Sequence, residues 1–166
     1  MFGLTMLGVF HTAIGLVALG YGFWSLVRYK QISPRNRIGQ IYILTTFVTA
    51  VTSLGIYQRG GFGPQHILGI LTVIGLAVGT LSGNSTIFGR ASQYVQAISF
   101  SSTIFFHLLP AAFETWTRLP PEKPLVASPS EPVLKIIILV LTVVFLVGVT
   151  LQITWLRASS RLANQD

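Results

Sequence analysis

Five long apolar stretches, separated by short polar segments, account for most of the chain. They run over about 2–27, 38–57, 65–81, 91–119 and 133–156. A helix needs about 20 mainly apolar residues, within a range of about 17–25, to cross the hydrocarbon core of a bilayer. The pattern therefore predicts an all-α fold, in which residues 1–166 form a single transmembrane domain of five membrane-spanning helices.

Small and hydroxyl-bearing residues indicate which helix faces point into the bundle, because helices in lipid associate through close backbone approach and hydrogen bonds. Along the first three helices these residues recur at three-, four- or seven-residue steps: Gly8, Thr12, Gly15 and Gly22; Tyr42, Thr46, Thr49 and Ser53; Gly69, Thr72, Gly79 and Gly83. The fourth helix carries one polar stripe, formed by Ser92, Gln96, Ser99, Thr103, His107, Pro110 and Glu114. The fifth helix has few such residues. We therefore expect a four-helix core with a peripheral fifth helix.

Prolines mark two features near the end of the fourth helix. Pro110 lies inside it, where it removes a backbone donor and frees the carbonyl of Phe106. Five prolines between 120 and 132 predict an extended, polyproline-like strap that connects the fourth and fifth helices.

The basic residues predict the orientation of the chain in the membrane. Of the 11 Lys and Arg residues, seven share one end of the helices: Arg28, Lys30, Arg35, Arg37, Arg90, Arg157 and Arg161. The other four are Arg59, Arg118, Lys123 and Lys135. The positive-inside rule places the richer end in the cytoplasm, so the amino terminus and the strap lie outside and the carboxyl terminus inside. A net charge of +7 spread over helix ends faces lipid headgroups, and we expect no nucleic-acid partner.

Four ionisable residues gather toward the outer end of the predicted bundle. His11 and His107 lie at matched depths of roughly 14 and 16 Å, and two imidazoles on different helices predict a site for b-type haem or a transition metal. Gly8 and Gly15, beside His11, would admit a flat macrocycle. His66 and Glu114 lie nearer the outer surface, where they predict a site for a metal such as zinc or iron, or for proton exchange.

A structural interpretation stands beside each of these sites. His11 could hydrogen-bond a hydroxyl or carbonyl across a helix pair, and His107 the carbonyl that Pro110 frees. His66 could be an ordinary interfacial histidine. Glu114 could pair with Arg118, one turn further on.

Composition excludes several other classes of function. The chain has no cysteine, which removes disulfides, thiolate metal sites and iron–sulfur clusters. Its only aspartate is Asp166 at the tail, so no Ser-His-Asp set exists, and no glycine-rich phosphate loop follows a strand. We identify no catalytic residues, and we do not expect an enzyme acting on its own.

Two functional hypotheses remain, with a third that needs further copies. The first is a haem or metal protein that transfers electrons or senses a metal through the outer-side cluster. The second is a non-catalytic membrane subunit or scaffold that packs against a partner protein or another copy of itself. A channel or transporter lined by the fourth helix would require oligomerisation, because so few helices enclose little space.

Several short motifs spread over about the first 120 residues. They are His11-Thr-Ala-Ile-Gly-Leu-Val-Ala-Leu, Arg37-Ile-Gly-Gln-Ile-Tyr42, Gly61-Phe-Gly-Pro-Gln-His66-Ile-Leu-Gly-Ile-Leu-Thr72 and Glu114-Thr-Trp-Thr-Arg-Leu-Pro-Pro121. In these motifs the chain resembles a family of small, uncharacterised bacterial membrane proteins, a domain of unknown function. The resemblance implies a membrane fold in the bacterial cytoplasmic (inner) membrane and importance for His11 and His66, and it implies no reaction. Relatives tend to have a histidine where this chain has Pro34-Arg35-Asn36-Arg37.

Overall fold

The computed structural model describes residues 5–57, 61–120, 122–126 and 131–162, and all regular structure in these ranges is helical. The helices are α1 (Met6–Tyr29), α2 (Arg37–Ser53), α3 (Pro64–Asn84), α4 (Ser92–Arg118) and α5 (Pro132–Leu162), with a short 3-10 turn at Gly89–Ala91 before α4. The predicted all-α fold class is confirmed. Residues 2–4, part of the predicted first helix, lie outside the described residues.

Four of these helices, α1, α3, α4 and α5, are long and apolar enough to cross a membrane. The fifth, α2, has 17 residues and is shorter than its predicted range of 38–57. After Ser53 the chain tightens into turns, in which the backbone N–H groups of Leu54, Gly55 and Ile56 each donate to the carbonyl three residues back. In contrast, α5 continues beyond 156, as its Ser159 and Ser160 hydroxyls bond one turn back without breaking the helix.

The first four helices form a closed bundle. Each packs extensively against its neighbour in the chain, and α1 meets α4 over a short stretch only. The fifth helix packs on the outside of α4, and most of its side chains are exposed. The expected four-helix core with a peripheral fifth helix is confirmed.

Glycines permit close approach between the core helices. A Cβ atom on Gly22 of α1 would lie 2.8 Å from the Tyr42 ring of α2, and one on Gly79 of α3 would lie 2.9 Å from the Phe100 ring of α4. The faces predicted from small and hydroxyl-bearing residues are largely buried, which confirms the prediction. Thr12 is an exception, because it is exposed and its hydroxyl donates to the Gly8 carbonyl.

A hydrogen bond at the centre of the bundle links α2 to α4. The Tyr42 hydroxyl lies 2.6 Å from Thr103 Oγ1, and the Thr103 hydroxyl lies 2.8 Å from the Phe100 carbonyl oxygen. Since the Thr103 hydrogen is directed at that carbonyl, Tyr42 donates to Thr103. Thr103 is fully buried, as are Ser92 and Gln96 of the same stripe. The polar face of α4 therefore points into the bundle, as its spacing predicted.

Two side-chain amides hydrogen-bond the α1–α2 connection at one end of the molecule, which we call the basic end. Gln96 Nε2 donates to the Ile32 carbonyl at 2.7 Å, and Gln152 Nε2 donates to the Lys30 carbonyl at 2.7 Å. This end comprises the α1–α2 and α3–α4 connections and the carboxyl-terminal end of α5. It carries Arg28, Lys30, Arg35, Arg37, Arg90, Arg157 and Arg161.

The opposite end, the strap end, differs from its prediction where it is described. The backbone N–H of Val126 donates to the Trp116 carbonyl at 3.0 Å, and that of Leu125 donates to the Leu119 carbonyl at 3.1 Å. Residues 122–126 thus turn back onto the end of α4 and bury Val126, instead of continuing as an extended polyproline segment. Residues 121 and 127–130 of the predicted strap lie outside the described residues.

The glycine contacts generate a stability prediction. We expect Gly22→Ala to lower the free energy of unfolding by about 1–3 kcal/mol, because the new methyl group collides with the buried Tyr42 ring. The matched control is Gly20→Ala on the same helix, where a Cβ atom meets nothing within 4 Å. Denaturant titration in detergent micelles measures both variants, and equal stabilities would show that the α1–α2 contact does not need glycine.

Candidate functional site

His11 of α1 is oriented by a threonine of α2. Its Nδ1 lies 3.0 Å from Thr52 Oγ1. The Thr52 hydroxyl directs its one hydrogen at carbonyls of its own helix, with the Val48 oxygen at 2.8 Å and the Thr49 oxygen at 3.0 Å. Thr52 Oγ1 therefore accepts, His11 Nδ1 carries the proton, and Nε2 of the neutral ring keeps its lone pair.

His107 of α4 has the same tautomer for a different reason. Its Nδ1 lies 3.0 Å from the Thr103 carbonyl oxygen, and a carbonyl can only accept, so Nδ1 donates. The structural interpretation of His107, a hydrogen bond to a carbonyl, named the Phe106 carbonyl freed by Pro110, but the carbonyl that His107 bonds is that of Thr103. The side chain instead leans toward the preceding turn, as long helical side chains do. Its Nε2 is buried and has no hydrogen-bond partner among the described residues.

His11 and His107 both lie in the half of the bundle nearer the strap end. They lie on α1 and α4, the pair of adjacent core helices with the least contact. Each ring uses Nδ1 to bond protein and leaves Nε2 with a lone pair. Each ring therefore has the tautomer typical of metal-ligating histidines, whose second nitrogen is fixed by a carbonyl or another acceptor.

Gly15, one turn beyond His11, has a different role from the one expected. A Cβ atom on Gly15 would lie 3.3 Å from Thr49 Cγ2, so Gly15 packs α1 against α2 and leaves no gap for a macrocycle there. A flat cofactor would have to enter between α1 and α4. A single metal ion needs no such gap.

His66 lies in the first turn of α3 and caps that helix. Its Nδ1 accepts a hydrogen bond of 3.0 Å from the Gly63 backbone N–H, which caps the helix. The ring lies between Tyr57, at a centroid distance of 4.8 Å, and Phe62, at 5.1 Å. Since Nδ1 accepts, Nε2 of the neutral ring carries the hydrogen, so His66 presents no free lone pair to a metal.

Glu114 forms an ion pair with Arg118, one helical turn further on, as its structural interpretation predicted. Among the described residues, no hydrogen bond joins it to His66. The Nδ1 of His66 accepts from the Gly63 N–H, and its Nε2 has no hydrogen-bond partner. Within the described parts of the chain, no group of three or more His, Asp or Glu side chains is placed to bind a metal. The His66–Glu114 metal site stays a prediction that this geometry does not favour.

Thr52 is the residue of this site that sequence reasoning missed. It lies beside the predicted inward stripe of α2, between Thr49 and Ser53. Matching depths would have found it, because the end of α2 and the start of α1 share one end of the bundle. The hydrogen-bond partner of a membrane-buried histidine is better predicted from residues at the same depth on other helices than from the stripe of inward-facing residues.

Capping by His66 can be tested with two substitutions. We expect His66→Ala to lower the free energy of unfolding by about 0.5–2 kcal/mol through loss of the cap. His66→Gln should lose less, because a glutamine at this position can accept the same backbone hydrogen bond. Chemical denaturation in micelles compares the two variants, and equal losses would contradict the capping role.

Comparison of the chain with protein-family models, with curated proteins and with solved structures finds no match. The resemblance to small bacterial membrane proteins stays a prediction. What the site can do follows from its own residues and contacts.

Proposed function

We propose that the chain crosses the membrane five times, with its amino terminus outside and its carboxyl terminus in the cytoplasm. Four helices meet the length and hydropathy of a span. The 17 residues of α2 reach the lower limit of about 17, and α2 packs between α1 and its next neighbour α3. Trp24 and Trp155 are exposed near the basic end, where aromatic belts meet headgroups. With the resemblance, this favours the bacterial cytoplasmic membrane.

The absence of cysteine from the sequence makes this topology straightforward to test. Single cysteines replace Asn36, in the α1–α2 connection, and Glu122, beyond α4. A membrane-impermeant maleimide applied to intact cells should label the residue-122 variant and spare the residue-36 variant until the cells are opened. Labelling of both from the same side would contradict five spans.

We propose further that the protein binds a transition metal between His11 and His107, as a single ion or as the iron of a b-type haem. The observation that carries the proposal is the pair of Nε2 lone pairs on α1 and α4, each left free by a hydrogen bond at Nδ1. Neutral imidazole avoids the cost of burying a charge in lipid and is a ligand for iron, copper and zinc. Such a site suits electron transfer or metal sensing near the strap end.

The residues of the chain have defined parts in this site. Thr52 and the Thr103 carbonyl orient the rings and raise the basicity of each Nε2. The Nε2 atom of His107 is itself buried, although the side chain as a whole is half-buried. A single metal ion requires only that both Nε2 atoms face the bundle interior. A haem would also require α1 and α4 to move apart.

A visible spectrum and elemental analysis of the purified protein test this function. We expect a stoichiometric transition metal, with a Soret band if it is haem iron. His11→Ala and His107→Ala should each lose the bound metal. His107→Met keeps a soft ligand and should retain the metal with an altered spectrum. His66→Gln is the control and should bind as the wild type does. Metal-free wild-type protein, purified without chelator, would overturn the proposal.

A non-catalytic subunit or scaffold is the second candidate function. The exposed side chains of α5 favour it, because α5 packs on the outside of α4 and leaves most of its surface available to a partner helix. Co-purification of a stoichiometric membrane partner, with no metal bound, would favour this candidate over the first.

A further inference from the structure

An apolar groove of about 460 Å³ lies between α1, α4 and α5, away from the histidines. Its walls include Phe23 of α1, Phe105 and Leu108 of α4, and Leu141 and Gly148 of α5. Between Leu141 and Trp155 it follows α5 for roughly 21 Å, which exceeds the roughly 15 Å of hydrocarbon in one leaflet. The groove is long enough for an acyl chain.

The polar side chains in this groove are largely satisfied by one another. Ser101 donates to Gln152 Oε1 at 2.8 Å, and Gln152 Nε2 donates to the Lys30 carbonyl at 2.7 Å. These bonds leave the walls apolar and attach α5 to the rest of the molecule at the basic end. Gly148 borders open space, since a Cβ atom there would meet nothing within 4 Å.

Lys30 gives the groove a charged end. It lines the groove together with Trp155, a residue type that favours the membrane interface. The described residues give its Nζ one partner, the Val27 carbonyl at 3.1 Å, although an ammonium group has three donors. The backbone of Lys30 has a left-handed φ of 60°, which ends α1 at this point.

Among the residues that the structure describes, the charged side chains at this end are all basic. Arg28 and Arg157 lie within a few residues of the groove along α1 and α5, and the other cations of the basic end lie on the same side of the bundle. Among the described residues the carboxylates are Glu114, Glu122 and Glu131, and all three belong to the strap end. A ligand with an apolar body and an anionic head therefore matches the groove at both ends.

We propose that this groove binds one anionic diacyl phospholipid, with an acyl chain along α5 and the phosphate at Lys30. Basic pockets between transmembrane helices are the usual setting for anionic headgroups. The apolar wall determines that a lipid binds, and Lys30 determines which headgroup it carries. The site is independent of the histidine pair and of the orientation of the chain in the membrane.

Native mass spectrometry of the detergent-purified protein, incubated with equal amounts of phosphatidylglycerol and phosphatidylcholine, tests the proposal. We expect the wild type to retain one phosphatidylglycerol in preference. Lys30→Gln should reduce that preference about fivefold, the factor for one lysine near a membrane surface. Its matched control is Lys135→Gln, an exposed lysine at the strap end, which should not change the preference.

A second pair of variants separates the chain from the headgroup. Gly148→Leu fills the groove and should abolish retention of either lipid, while Val147→Leu, exposed beside it and outside the groove, should behave as the wild type. Equal retention of the two lipids by the wild type would overturn the proposal. Retention of phosphatidylglycerol by Gly148→Leu would overturn it too. So would the finding that the groove holds a neutral isoprenoid instead of a phospholipid, or that the protein forms a dimer that excludes lipid.

Discussion

The hydrogen bond between Tyr42 and Thr103 fixes the geometry of the core helices. Hydrocarbon supplies no water to an unpaired hydroxyl, so these two groups need each other. The Tyr42 ring rests on Gly22 of α1 and meets Phe100 of α4 edge-on, at a centroid distance of 6.5 Å. On the other side of the bond, a Cβ atom on Gly75 of α3 would lie 2.8 Å from Thr103 Cγ2. One bonded pair therefore touches all four core helices and sets their spacing.

The histidine pair takes its position from the same contacts. Thr103 bonds the core through its hydroxyl and fixes His107 through its carbonyl, so the orientation of the imidazole depends on the packing one turn away. His11 is placed by α1 and α2, whose separation is set by Gly15 and Gly22. Neither ring relies on a loop for its position. Both ligands of the proposed metal site are thus positioned by contacts of the helices themselves.

The sequence predicted the inward faces because close packing in lipid restricts them to small and hydroxyl-bearing residues at helical spacing. It could not predict the tautomers, which depend on partners such as Thr52 that lie on another helix. The burial of His66 was hidden for a related reason, since Tyr57 and Phe62 flank it from outside its helix, whereas its capping bond to Gly63 is local. The end of α2 was placed too late because Leu54, Ile56 and Tyr57 continue its apolar pattern beyond the helix.

The attachment of α5 has a consequence for the order in which the protein assembles. Among the described residues, the side-chain hydrogen bonds from α5 to other elements come from Gln152 and Ser160, both in its last third. During synthesis these residues leave the ribosome after the first four helices and most of α5. The first four helices must therefore persist in the bilayer as a bundle before α5 can be fastened to them. Their own glycine contacts and the Tyr42–Thr103 bond have to suffice for that interval.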